Sequence, residues 1–112
     1  MLELAGGSLD PVLEASDGWD AVLLDSLTLW VSARMCGGEQ SETEEEFERF
    51  VRGAGSLSKP MILVSDEVGL GVVPECAASR RFRDLLGLIN QRAAVVAEEV
   101  YLCVAGIEHR IK

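Results

Sequence analysis

Trp19-Asp20-Ala21-Val22-Leu23-Leu24-Asp25 is the stretch whose reading decides the fold. Ala21 to Leu24 are apolar without a break, and the run ends in a carboxylate. Apolar residues on both faces are what a strand inside a parallel sheet needs when helices cover both sides of the sheet. A second run of this kind, Met61-Ile62-Leu63-Val64-Ser65, is introduced by Lys59-Pro60 and followed at once by Asp66-Glu67. A third spans Val100 to Ala105, after which Gly106 turns the chain into Ile107-Glu108-His109-Arg110-Ile111. That tail can pair as a short antiparallel strand at the edge. Helical periodicity fills the intervals, so the fold class read from the pattern is α/β, a mostly parallel sheet with flanking helices.

Working outward, Ser8-Leu9-Asp10-Pro11 reads as a helix start, with Asp10 as cap and Pro11 at the first helical position; Asp17-Gly18 ends it. From Ser26 to Met35, Leu27, Trp30 and Val31 fall at helical spacing. Leu29 and Ala33 make the other side apolar too, so this helix is expected to be core or subunit interface. Gly37-Gly38 closes it. Ser41-Glu42-Thr43-Glu44 has the spacing of a capping box, ahead of the apolar stripe Phe47, Phe50, Val51 and Ala54. The glutamates between Glu39 and Glu48 suit a helix start and a solvated face rather than a metal cluster. The longest helix is expected over about Ser79 to Ala97, with Phe82, Leu85, Leu86, Ile89, Ala93 and Val96 along one face.

The 112 residues carry 10 Lys+Arg against 19 Asp+Glu, a formal net charge of −9, and 48% are apolar. Such a composition belongs to a folded globular protein, and the length suits one domain over residues 1–112. A pI near 4.5 with no basic cluster excludes nucleic acid as the expected partner. No apolar run approaches a membrane span. Cys36, Cys76 and Cys103 form an odd, widely spaced set. They read as reduced thiols of a cytoplasmic protein, each a small buried hydrophobe.

Open parallel sheets place ligands outside the carboxyl ends of their strands. Asp25 and Asp66-Glu67 both stand at such ends. Apolar residues followed by Asp25 have the Walker B form, in which the acid holds Mg²⁺ beside a nucleoside triphosphate, so Asp25 is a candidate Mg²⁺ ligand. The same pattern also arises where an aspartate caps the next helix. No Gly-x-x-x-x-Gly-Lys-Ser/Thr stretch lies within the chain to cradle phosphates. Gly69-Leu70-Gly71 follows a strand, but Pro74 occupies the place of a third glycine, so its glycines serve loop geometry. His109, far from any other ligand, reads as an exposed edge residue. Arg80, Arg81 and Arg83 are expected to pair with the surplus carboxylates rather than with phosphate. Asn90-Gln91 puts two amides in an apolar helix, where they are expected to brace the loop or a subunit contact.

The loop and long helix also carry a resemblance. Asp66-Glu67-Val68-Gly69-Leu70-Gly71-Val72-Val73-Pro74-Glu75, followed by Arg81-Phe82-Arg83-Asp84, Gly87 and Asn90-Gln91, resembles the bifunctional adenosylcobinamide kinase/adenosylcobinamide-phosphate guanylyltransferase family. The unit Val22 to Ser32 is similar to that family as well. The resemblance implies a P-loop NTPase-like α/β fold and a place in cobalamin biosynthesis. It implies GTP or ATP with Mg²⁺ as cofactors, and adenosylcobinamide, a corrinoid, as substrate. Family members phosphorylate it and then transfer GMP through a guanylylated histidine. By the same resemblance Asp25 and Glu67 sit at the nucleotide, with Asp66 standing where the family has asparagine. Asp66, Gly69, Gly71, Pro74, Arg83, Asn90 and Gln91 carry the loop and helix motif.

In the family the phosphate loop and the guanylylated histidine precede the matching region, so the chain is expected to lack the P-loop strand. Each buried backbone group left unpaired costs about 1–3 kcal/mol, against a typical domain stability of about 5–15 kcal/mol. The expectation is therefore association, as a homo-oligomer or with an N-terminal complementing chain, and little or no transferase activity from this chain alone. Three readings follow: part of a nucleotide-dependent transferase, a non-catalytic homolog that binds nucleotide weakly, or a structural oligomerisation unit.

Overall fold

The computed structural model describes residues 7–15, 18–37 and 40–112. In chain order the elements are α1 (Asp10–Ala15), β1 (Val22–Asp25), α2 (Leu27–Met35), α3 (Gln40–Gly55), β2 (Met61–Val64), α4 (Ala77–Val96), β3 (Tyr101–Val104) and β4 (Ile107–Arg110). β1 and β2 pair in parallel, with Val22 opposite Met61 and Asp25 opposite Val64. β3 and β4 form a separate antiparallel hairpin, Tyr101 opposite Arg110 and Val104 opposite Ile107.

The mixed α/β class holds, as does the antiparallel tail. The mostly parallel sheet does not extend to β3: among the described residues the parallel sheet has two strands. The reason is local. Ala105 and Gly106 adopt φ of 53° and 76°, the sign pattern of a two-residue type I′ turn. Such a turn closes β3 onto the next four residues, whereas joining β2 requires a distant edge. Lys112 fastens the hairpin, its ammonium donating to the Ala94 and Val95 carbonyls near the end of α4.

The core lies between the helices and one face of β1–β2. Leu9, Leu27, Val31, Phe47, Leu85, Leu86 and Ile89 are fully or almost fully buried. Trp30 meets Phe47 with ring centroids 6.1 Å apart, and its indole N–H donates to the Gly7 carbonyl at 3.1 Å. Leu24 on β1 faces this core. The two strands are not buried on both sides, contrary to the expectation from their composition. Leu23 is 63% and Ile62 55% exposed, because helices cover only the Leu24 face. α2 departs similarly: Leu27, Trp30 and Val31 are buried while Leu29 stands in solvent.

Helix boundaries show further corrections. Ser8 rather than Asp10 caps α1, its hydroxyl accepting from the Asp10 N–H. Asp17, read as part of the breaker, lies outside the described residues, as do Gly38 and Glu39. Ser41 falls inside the first turn of α3, so the capping box is not its start. Instead the Gln40 amide donates to Glu44 one turn along, at 2.9 Å. Glu46 is no surface residue: it is buried, accepts from the Leu9 N–H at 2.9 Å and pairs with Arg34 at 2.7 Å. Glu44 and Glu48 both pair with Arg92 of α4. The three cysteines are exposed, not buried, since they fall at element ends and on the open hairpin.

Candidate functional site

The parallel register decides where the acids go. With Asp25 opposite Val64, the residues that follow β2 leave the sheet at the rim where β1 ends. Ser26 turns the chain into α2 as its N-cap, the hydroxyl accepting from the Leu29 N–H at 3.3 Å. Thr28, in the first turn, accepts from the Asp66 N–H at 2.8 Å and ties the two strand ends together. Asn90 reaches the same point from α4. Its carbonyl oxygen accepts from the Ser65 hydroxyl at 2.6 Å, and its amide nitrogen donates to the Asp66 carbonyl at 3.1 Å. Asp25, Asp66 and Glu67 remain exposed at this rim.

The loop beyond is strapped to itself and to α4. A Glu67 carboxylate oxygen accepts from the Gly69 N–H at 2.8 Å. A Cβ on Gly69 would stand 2.8 Å from that oxygen and push the Glu67 carboxylate off its bond to the loop; at Gly71 a Cβ would meet open space. Arg83 donates to the Gly69 carbonyl at 2.8 Å. Arg80 donates to the Pro74 carbonyl at 2.9 Å and to the Glu75 carbonyl at 2.6 Å. The expectation that Arg80 and Arg83 pair with carboxylates is therefore corrected. Both come off the first two turns of α4, directly after the loop, so the nearest acceptors are the loop's own carbonyls. Gln91, one residue and thus about 100° around the helix from Asn90, is exposed. His109 is exposed on β4 opposite Leu102.

Thr28, Ser65 and Arg80 are structural members of this site that residue patterns did not mark for this role. Thr28 did carry a signal: it sits in the first turn of a helix that starts just after a strand-end acid. Cys76 is the N-cap residue of α4. The N–H groups of Ser79 and Ala78 hold its thiol below the ordinary value of 9.0 by stabilising the thiolate. A groove of about 490 Å³ lies at the opposite end of α2, lined by Met35, Cys36, Ser79, Arg81 and Phe82, and includes none of the rim acids.

Among the described residues no group of three or more His, Cys, Asp or Glu is placed to hold a metal ion. Mg²⁺ at nucleotide sites needs less, one or two carboxylates with the phosphates and water completing its shell. A single exposed strand-end carboxylate such as Asp25 fits that demand. What fold and site define is an α/β protein with acids at the ends of paired parallel strands and a strapped loop beside them, at the rim where open parallel sheets place ligands.

Comparison with known proteins makes this specific. Residues 4–111 match the family described as cobinamide kinase / cobinamide phosphate guanyltransferase, and the chain belongs to that family. It is 35% identical over 106 residues to the bifunctional adenosylcobalamin biosynthesis protein CobU of Salmonella typhimurium, covering 83% of this chain and 59% of that protein. The Escherichia coli CobU is 33% identical with the same coverage. CobP of Pseudomonas aeruginosa is 37% identical over 91 residues, covering 81% of this chain and 53% of that protein. The chain thus spans little more than half the length of the relatives it matches.

Proposed function

We propose that this chain supplies the acid rim and substrate loop of a cobalamin-pathway kinase and guanylyltransferase acting on a corrinoid. Membership of the family carries the reading, together with one observation: the parallel register sets Asp25 and Asp66-Glu67 at one rim. In this reading GTP or ATP lies along the rim. Mg²⁺ bound with it would take Asp25 as its protein ligand and neutralise phosphate charge. Glu67, one oxygen already committed to Gly69, would orient the nucleotide through the other. Thr28 and Asn90 tie the strand ends together at a fixed spacing.

Within its 112 residues the chain has no Gly-x-x-x-x-Gly-Lys-Ser/Thr stretch. Charge developing on a transferred phosphoryl or GMP group then lacks its main stabiliser. Turnover of GTP and adenosylcobinamide phosphate by this chain alone is not expected. The bare face of β1–β2, with Leu23 and Ile62, supports association with another copy or with a complementing chain. Unpaired exposed cysteines suit a reducing compartment such as the cytoplasm.

Isothermal calorimetry with GTP and Mg²⁺ tests the rim. Heat of binding is expected from the wild type and not from Asp25→Asn; equal heats would remove Asp25 from the account. Light scattering tests the association, and a mass of one chain would contradict it.

A further inference from the structure

Hydrogen-bond direction is fixed at three side chains of the rim, Thr28, Ser65 and Asn90. The Asp66 peptide group is held from both sides. Its N–H can only donate, so Thr28 Oγ1 accepts it, at 2.8 Å. Its carbonyl can only accept, so the nitrogen of the Asn90 amide must face it, at 3.1 Å. The Asn90 oxygen is then left for Ser65, whose hydroxyl must donate, at 2.6 Å. A hydroxyl has one proton and two lone pairs. With its proton committed to Asn90, the exposed Ser65 oxygen presents only lone pairs to solvent. Thr28 uses a lone pair on Asp66 and keeps its proton, which it donates to nothing among the described residues. The two hydroxyls flank one peptide unit, a lone-pair oxygen beside a free O–H.

The surroundings narrow what this pair can hold. Asp66 is exposed, and among the described residues no ion pair reaches it, because Arg80 and Arg83 turn to the loop carbonyls. An anion set here would meet lone pairs and a single proton. A vicinal diol fits better. One hydroxyl donates to the Ser65 oxygen and accepts from Thr28, and the other donates to the Asp66 carboxylate. Resting on the function proposed above, we propose that Ser65, Asp66 and Thr28 form the subsite for the ribose hydroxyls of the nucleotide, with Asn90 as its positioning residue. A carboxylate holds a ribose hydroxyl in this way in dinucleotide-binding α/β sheets. Asp25, on the neighbouring strand end, is left to the metal. The family resemblance puts asparagine where Asp66 stands. An amide offers one acceptor oxygen and a carboxylate two, so the aspartate holds the diol more firmly than asparagine would.

Calorimetry of the 112-residue chain with GTP and with its 2′,3′-dideoxy analogue, each with Mg²⁺, tests the subsite, because the two ligands differ only in the sugar hydroxyls. The wild type is expected to bind GTP about tenfold more tightly, the scale of two net hydrogen bonds. Ser65→Ala and Asp66→Ala, both at exposed positions, are each expected to weaken GTP by about three- to tenfold and leave the analogue unchanged, so the ratio shrinks. Ser65→Thr keeps the hydroxyl and the ratio. Asp66→Asn is expected to fall between wild type and alanine. Asn90→Ala frees the Ser65 proton and is expected to lower the ratio too, whereas a purely structural loss would weaken both nucleotides equally. Equal affinity of the wild type for the two nucleotides overturns the subsite, as does a ratio that survives in the Ser65→Ala/Asp66→Ala double variant. Asp25→Asn separates the two proposals. Asp25-dependent heat without a ratio leaves the rim and refutes the subsite; a ratio with Asp25-independent heat does the reverse. No heat from either nucleotide refutes both.

Discussion

Glu46 offers the sharpest test of how the scaffold under the rim is held. The residue is 5% exposed, and its carboxylate accepts from the Leu9 N–H at 2.9 Å and pairs with Arg34 at 2.7 Å. It thereby joins the entry of α1, the last turn of α2 and the middle of α3. Glu46→Ala leaves a buried backbone donor without a partner, which costs about 1–3 kcal/mol. Removing one member of a buried ion pair costs about 3–5 kcal/mol. Here that figure shrinks to about 1 kcal/mol, because the Arg34 side chain is 26% exposed and water screens it. The sum is about 2–4 kcal/mol, a large part of the roughly 5–15 kcal/mol that stabilises an ordinary domain. Glu46→Gln keeps an acceptor for Leu9 and loses only the charge, so about 1 kcal/mol is expected. Urea titration followed by tryptophan fluorescence measures both, since Trp30 is buried against Phe47 and reports on this core. With a urea slope of about 1–3 kcal/mol/M, the alanine midpoint should fall by roughly 0.7–4 M. A loss below about 1 kcal/mol for Glu46→Ala would refute the reasoning, because a buried donor would then be satisfied some other way. Since α2 begins directly after Asp25, the same variant should also weaken nucleotide heats.

Other predictions follow from single features. At pH 7 Cys76 should react with iodoacetamide faster than Cys36 and Cys103, all three being exposed, because the N–H groups at the start of α4 lower its thiol; mass spectrometry of alkylated peptides reads the order. The Tyr101 hydroxyl donates to Glu99 at 2.9 Å, and that bond raises it above the ordinary value of 10.0. Its support for the hairpin is therefore complete below that value and lost as pH rises through the raised one, so Tyr101→Phe should flatten an alkaline fall in melting temperature. Ala105 sits at φ 53°, where a side chain without local hydrogen bonding is strained by about 1 kcal/mol. Ala105→Asn should raise thermal stability by about 0.5–1 kcal/mol, measured by circular dichroism.

Much of the scaffold is visible in the residues. The Val22–Asp25 and Met61–Val64 runs, the α3 and α4 stripes and the Gly106 turn all announce themselves through apolar spacing and turn chemistry. Three things do not. Strand composition alone cannot say whether one face or two will be covered, so Leu23 and Ile62 read as buried. A hairpin closed by two residues wins over a longer-range parallel pairing, which composition does not weigh. Side-chain partners across the fold are silent too: Glu46 looks like its solvated neighbours until α1 and α2 arrive beside it. At the rim the acids were evident from their strand ends. The strapping was not, because an arginine's choice between a carboxylate and a nearby carbonyl depends on where the loop lies in space.

The bare side of the two-stranded sheet has a colloidal consequence. Copies of a chain carrying −9 repel one another at neutral pH, and that repulsion acts over a Debye length of about 10 Å in 0.1 M salt. As the pH falls towards the pI of about 4.5, the carboxylates take up protons and the barrier disappears. Leu23 and Ile62 faces not already covered by an associated chain then meet unopposed. Salt and acidity, rather than sequence-specific contacts, set how crowded a solution of this protein can become before it clouds.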